Sequence, residues 1–351
     1  MTLSSYRLGL FAFATAGILL SQTVFAAEAL PPVDIEPVDI ETVAKLDAVP
    51  DRIAATPNGH IFVSIPEAPE PSSRLSQINT GKIYPTPIAW QLRNVRALTS
   101  DVQNRMWFLF NYAHTQPESY RAALFAYDAV KQRVAFNMSL VTPLIGESYD
   151  LDMVVDAKRD IAYIADFANP SPAIVVIDLK TKTAWRAFEG QLPKMGKTSL
   201  ALETTGTWLY YGANDDTYIY RLRTGDMHKP GSALVKAKPH IERVGAKPPS
   251  NAIAIDKAGR VYVAEKGAGA VGVLRPRETY VRLVEGSALR GRAHDLSFTP
   301  DGYLYVTVGA EQKAQTQGRP KPLSYVLRFK PSCGCEATLP PGGFLSPPAN
   351  F

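Results

Sequence analysis

Short apolar runs separated by polar, turn-prone breaks dominate this chain, and they return in a fixed phrase. The clearest instance lies within residues 149–190. There Leu151 to Val155, Ile161 to Ala165, Ala173 to Ile177 and Thr183 to Phe188 are each of strand length. Each is bounded by turn formers, so the stretch predicts a meander of four antiparallel strands.

The phrase occurs six times. A polar residue opens an apolar run, and eight positions later a turn residue leads into an aromatic-rich strand. The openings are Asp51, Arg96, Asp152, Thr198, Asn251 and His294, which lie 45, 56, 46, 53 and 43 residues apart. Periods of this size, each with about four short strands, indicate radial β-blades. No helical periodicity of useful length intervenes, which argues against βαβ architectures. The expected fold is all-β: a six-bladed β-propeller with a central channel, over residues 49–331.

The flanks read differently. Arg7, the apolar run Leu8 to Leu20 and the small residues around Ala26 predict a cleaved signal peptide over residues 1–26. The run is short for a bilayer span, and no cysteine follows it. An exported chain, periplasmic or secreted, is therefore expected, with no membrane span once the leader is gone. Residues 27–48 form a proline-containing arm, of which Thr42 to Leu46 is expected to close the ring as an outer strand of the last blade. The basic, Pro- and Gly-rich stretch 224–250 has two readings, a lid or partner-binding insertion and a surface crossover tethered by one outer strand. The tail over residues 332–351 carries Cys333 and Cys335, read as a local disulfide or free thiols, since two thiolates alone make a poor metal site.

Composition changes little in this picture. Hydrophobic residues at 46% and charged residues at 20% describe a globular chain. The net charge of +5 comes without a basic block or a nucleic-acid motif, so no nucleic-acid partner is expected. There is no G-x-S-x-G elbow, phosphate loop, dinucleotide fingerprint or zinc-type histidine pair. His60, His114, His228 and His240 are expected to face solvent, and Trp107, Trp185 and Trp208 to pack between blades.

Candidate chemistry then sits where the repeat gathers residues from every blade. The inner strand of a blade runs along the channel and its neighbour returns antiparallel, so the start of one and the end of the other share a rim. That rim collects Asp51, Arg96, Asp152, Thr198, Asn251 and His294, with Asp295 beside the last. The returning strands add Asn111, Asp166, Asn214 or Asp215, and Glu265 with Lys266. Such a ring suits a small organic ligand. Within it, Asp51, Asp152, Asn251 and His294 offer oxygen and imidazole ligands for a divalent metal such as calcium, and water on that ion could be activated for hydrolysis. The same polar residues could equally cap the inner strands and solvate the channel.

In order along the chain, DMVVDAKRDIAYIADF, AIVVIDLKTKTAWR, LALETTGTWLYYGANDDTYIYRL, VGAKPPSNAIAIDKAGRVYVAE and HDLSFTPDGYLYVTV resemble the major royal jelly protein and Yellow family, over about Asp51 to Phe329. The resemblance implies a secreted six-bladed propeller. Some members bind small amines or aromatic compounds in the channel, and some Yellow relatives are linked to dopachrome conversion. More distantly the chain is similar to the gluconolactonase and regucalcin group, metal-dependent lactonases on the same fold. That likeness implies a metal at the positions of Asp51, Thr198 and Asn251. Three functions are thus expected: small-molecule binding at the channel mouth, metal-dependent lactone or ester hydrolysis there, or a protein-interaction scaffold using Lys229 to Lys247.

Overall fold

The structure is a computed structural model that describes residues 38–331 apart from 66–74, 80–81, 86–93, 113–120, 141–143, 145–150, 168–169, 194–195, 229–238, 275–278, 290 and 310–323. The leader at 1–26, the start of the arm, His114, the middle of the 224–250 stretch and the cysteine-bearing tail lie outside the described residues. Among those described, no helix is long and apolar enough to cross a membrane.

The described strands form six four-stranded antiparallel sheets. β1 (Glu41–Leu46) stands first in sequence but last in the ring. Blade 1 is β2 (Ile53–Ala55), β3 (Ile61–Ser64), β4 (Leu75–Asn79) and β5 (Lys82–Pro85). Blade 2 is β6 (Asn94–Ser100), β7 (Arg105–Tyr112), β8 (Arg121–Asp128) and β9 (Arg133–Ser139). Blade 3 is β10 (Asp152–Asp156), β11 (Ile161–Asp166), β12 (Ala173–Asp178) and β13 (Thr183–Ala187). Blade 4 is β14 (Thr198–Leu202), β15 (Trp208–Ala213), β16 (Tyr218–Arg223) and β17 (Ile241–Ala246). Blade 5 is β18 (Ser250–Ile255), β19 (Val261–Glu265), β20 (Ala270–Leu274) and β21 (Tyr280–Glu285). Blade 6 is β22 (Arg292–Phe298), β23 (Leu304–Gly309), β24 (Ser324–Phe329) and, beside β24, β1.

The inner strands touch in cyclic order, β2, β6, β10, β14, β18, β22 and back to β2, so the ring is closed. Closure is completed by β1, paired antiparallel to β24 from Glu41↔Arg328 to Leu46↔Ser324. This is the closing strand expected from the sequence, begun one residue earlier.

The apolar runs are continuous rather than alternating because each middle strand is covered on both faces by the adjacent blades. All six residues of β11 are buried, for example. The core is accordingly divided into interblade layers. One cluster joins Trp107 and Leu109 of blade 2 to Ile164 and Val175 of blade 3. Another joins Tyr163 and Val176 to Leu209 and Tyr211 of blade 4. A third sets Leu46 of β1 and Val326 against Ile53 and Val63, locking blade 6 to blade 1.

The turn residue eight places after each opening has positive φ in all six copies: Gly59, Asn104, Asp160, Gly206, Gly259 and Gly302, from 55° to 87°. Glycine, asparagine and aspartate tolerate this region best. The spacing nevertheless misaligns blade 3 by one residue. Three residues separate Thr56 from His60 and Asp101 from Arg105 across their hairpins, whereas four separate Asp156 from Ile161. Counted back from the hairpin, Asp152 matches Arg52, Ala97, Ser199, Ala252 and Asp295. It is Leu151 that matches Asp51, Arg96, Thr198, Asn251 and His294.

Of the stretch 224–250 only the two ends are described. It begins with a 3-10 turn over Thr224–Met227 and supplies β17, the outer strand of blade 4. His228 differs from its solvent-facing expectation: it stacks on Tyr163 and shares a 2.5 Å hydrogen bond with that phenol. Trp208 is half-buried against the layer between blades 4 and 5, as expected, with Arg221 and Arg223 over its ring at 4.0 and 5.1 Å. Trp107 is fully buried and donates Nε1 to Asp101 Oδ2 at 2.6 Å.

Candidate functional site

The mouth formed by the inner-strand starts is organised by a residue that the repeat phrase does not single out. Arg52 follows Asp51 and is 3% exposed. Its Nη2 donates to Leu151 O at 3.3 Å, and its Nη1 lies 3.7 Å from Asp152 Oδ1. The side chain thus runs from blade 1 past blade 2, which carries only the methyl group of Ala97 at the matching position, to blade 3.

Asp152 and Asp295 flank it and share one construction. Asp152 accepts Met153 N–H on Oδ1 and Leu200 N–H of the next blade on Oδ2, both at 2.9 Å. Asp295 accepts Leu296 N–H on Oδ1 and Ile53 N–H of blade 1 on Oδ2, again at 2.9 Å. Each carboxylate therefore stitches its blade to the following one. Burial raises both acids. Asp295 is pushed up to about 7, mainly by burial and further by the Asp152 charge, with Arg52 pulling the other way.

Above this layer Asp51 is one-third exposed, between Arg52 Nε and Lys197 Nζ, each 3.9 Å from its carboxylate. His294 is half-buried. Burial lowers its pKa, Asp51 opposes that shift, and Lys197 and Arg292 reinforce it. The imidazole is seated against Gly309, where a Cβ would collide with its ring and with Val49. Arg96 lies half-buried on β6. Thr198 is buried and its hydroxyl donates to Gly196 O at 3.1 Å. Asn251 donates Nδ2 to Ala293 O at 2.8 Å, bridging blades 5 and 6.

Two expected members of the ring are drawn outward. Asp166 is held by Arg186 Nη1 of the outer strand β13 at 2.6 Å. Glu265 is held by Arg282 of the outer strand β21 through Nε and Nη2, at 2.7 and 2.8 Å, and accepts the Tyr280 hydroxyl at 2.9 Å. An arginine two strands away, on the same face of the blade, captures each carboxylate. Asp215 pairs with Lys266 at 2.6 Å on the exposed rim, while Asn214 Oδ1 is buried without a hydrogen-bond partner. Sequence reading missed Arg52 and Lys197. Each is a basic residue adjoining a repeat opening, and a count of charge around the openings would have found both.

The residues fit a divalent ion poorly. Asp51 already faces two cations, both oxygens of Asp152 accept backbone N–H groups, and the Thr198 hydroxyl is donated elsewhere. Among the described residues no three His, Cys, Asp or Glu side chains are grouped to hold a metal.

A cavity of about 720 Å³ opens at the other mouth, among the inner-strand ends and first hairpins. Val155, Leu202, Ile255 and Phe298 give it apolar walls, with Thr99 and Ser100 as polar points. Its size suits a ligand. Its buried acids, however, are committed to their own turns: Asp101 accepts Gln103 N–H and Arg105 Nε, and Asp156 accepts Lys158 N–H and Arg159 Nη1. The raised acids Asp152 and Asp295 therefore lie at the Arg52 mouth, and this cavity lies opposite.

Solved structures of this shape are propellers. A gluconolactonase from Xanthomonas campestris superposes with a TM-score of 0.57 at 12% identity, over 85% of this chain and 91% of that one. The calcium-binding protein regucalcin of Agrobacterium tumefaciens gives 0.52 at 12% identity, over 83% and 96%. Virginiamycin B lyase of Staphylococcus aureus gives 0.53 at 14% identity, over 83% and 98%. No protein-family model and no curated protein sequence matches the chain. At these identities the likeness establishes the fold, a six-bladed β-propeller.

Proposed function

We propose that this propeller handles a small organic molecule at the Arg52 mouth. The observation that carries the reading is the convergence of Arg52, Asp152 and Asp295 from three blades beneath Asp51, Lys197 and His294, where Asp295 is pushed up to about 7. Shifted ionisable groups gathered at a channel mouth mark a functional site. Arg52, Lys197 and Arg292 favour a ligand with negative charge or a polarised carbonyl oxygen. The motifs resembling Yellow proteins support binding, and the leader-like residues 1–26 support a ligand met outside the cytoplasm.

The likeness to a gluconolactonase favours a second reading, hydrolysis of a lactone or ester. Here His294, kept neutral by burial, accepts a proton from water as its oxygen attacks the carbonyl carbon. Lys197 and Arg292 face the developing oxyanion. The C–O bond then breaks, and the imidazolium returns its proton to the leaving alkoxide. A panel of sugar lactones and aryl esters, scored for turnover and for shift of the melting temperature, tests both readings. Binding is expected as a saturable shift that Asp51→Ala weakens. Hydrolysis is expected to fall by about 100-fold in His294→Gln with folding intact. A panel that produces neither turnover nor shift sinks the proposal.

A further inference from the structure

Two carboxylates of the mouth, Asp51 of blade 1 and Asp152 of blade 3, flank the guanidinium of Arg52, and its charge also reaches Asp295 of blade 6. Left bare, these buried acids would need another cation to gather them. The chain supplies its own. Arg52 Nε is 3.9 Å from Asp51, and Nη1 is 3.7 Å from Asp152. The same guanidinium opposes the upward shift of Asp295. Among the six matching inner-strand positions Arg52 is the one cation, the others being Ala97, Asp152, Ser199, Ala252 and Asp295. A buried arginine costs several kcal/mol unless it is paired, so its position follows from the acids around it.

We propose that Arg52 is the resident cation of this mouth. Its guanidinium neutralises and positions the acids that a divalent ion would otherwise gather, so the protein neither holds nor requires a metal there. The inference rests on the reading of this mouth as the ligand site, but its test uses no organic ligand. Absence of lactone turnover would therefore sink hydrolysis and leave the metal outcomes readable.

The test compares wild type, Arg52→Gln and Arg52→Lys by metal analysis, calorimetric titration with Ca²⁺ or Mn²⁺, and melting with and without chelator. Wild type is expected to carry no stoichiometric divalent ion and to melt at the same temperature in chelator. Arg52→Gln is expected to melt lower, to be rescued by Ca²⁺ or Mn²⁺, and to bind the ion at least about ten-fold tighter than wild type, a change of about 1.4 kcal/mol. Arg52→Lys keeps the charge and should remain indifferent to metal. If Arg52→Gln does not fold, wild type and Arg52→Lys decide. A stoichiometric ion in wild type whose removal lowers the melting temperature overturns the proposal. So does a folded Arg52→Gln that binds no more ion than wild type, or an Arg52→Lys that needs metal to fold.

Discussion

Asp152 and Asp295 are each asked to satisfy two backbone N–H groups and to face one buried guanidinium. Removing either carboxylate leaves donors in two blades without a partner. Asp152→Ala is therefore expected to cost about 3–5 kcal/mol, read as a drop in denaturant midpoint, because it leaves Arg52 less well paired as well. Asp295 gives a sharper signature. Its pKa is about 7 in the folded chain and 3.8 without the fold's influence. Between these values the folded state keeps a proton that the unfolded chain has released, so stability falls as pH rises through that window and levels off above it. Asp295→Asn should flatten this part of the stability curve. An unchanged pH dependence in the variant would show that Asp295 ionises normally. Lys247 works the opposite flank. Its ammonium is buried on the carbonyls of Ala213 and Asp216 at 2.9 and 2.7 Å, and burial lowers its pKa from 10.5 to about 8. The unfolded chain then binds the proton more readily, and stability is expected to rise from pH 8 to pH 10.5 wherever the fold tolerates alkali.

At the scale of the element, the hairpin between inner and second strand sets the register of each blade. Gly206, at φ +70°, lies against the Asp156–Arg159 ion pair of the preceding blade, and a Cβ there would overlap both side chains. Gly206→Ala combines an unfavourable φ with a clash, and a loss of about 1–3 kcal/mol in thermal or denaturant unfolding is expected. Gly302→Ala is the control: it has similar φ but open space around the position, so its loss should be smaller. The repeat phrase located all six turns because positive φ restricts the residues that can occupy them. It aligned Asp152 of blade 3 with Asp51 rather than with Arg52, because one added loop residue shifts the strand without changing the distance to the turn.

Over the whole molecule, stability depends on closing the ring. β1 covers the free edge of β24, buries Leu46 against blade 1 and pairs Glu41 with Arg328 at 2.6 Å. The ion pair is partly exposed, so Glu41→Ala should cost less than about 1 kcal/mol. Removing residues up to Leu46 is different in kind: it opens a strand edge and exposes part of an interblade layer. That truncation is expected to lower the melting temperature well beyond Glu41→Ala and to promote association, visible in size-exclusion profiles. A truncated chain that stayed monomeric and equally stable would show that closure is carried elsewhere.

The number of blades, their order, the turn positions and the closing strand were all legible in the sequence, since each depends on local patterning: strand-length apolar runs, turn formers and a period. The approximate rim was legible for the same reason. Which side chains face one another across it was not. Asp166 and Glu265 were separated from the mouth by Arg186 and Arg282, which stand 20 and 17 residues later but on the same blade face. Arg52 met Asp152, 100 residues on, only because ring closure brings blades 1 and 3 to one channel. Periodicity fixes where a strand begins and which way it runs. The partner of a buried charge is decided by the closed ring, where desolvation makes an unpaired group costly and the nearest opposite charge belongs to another blade.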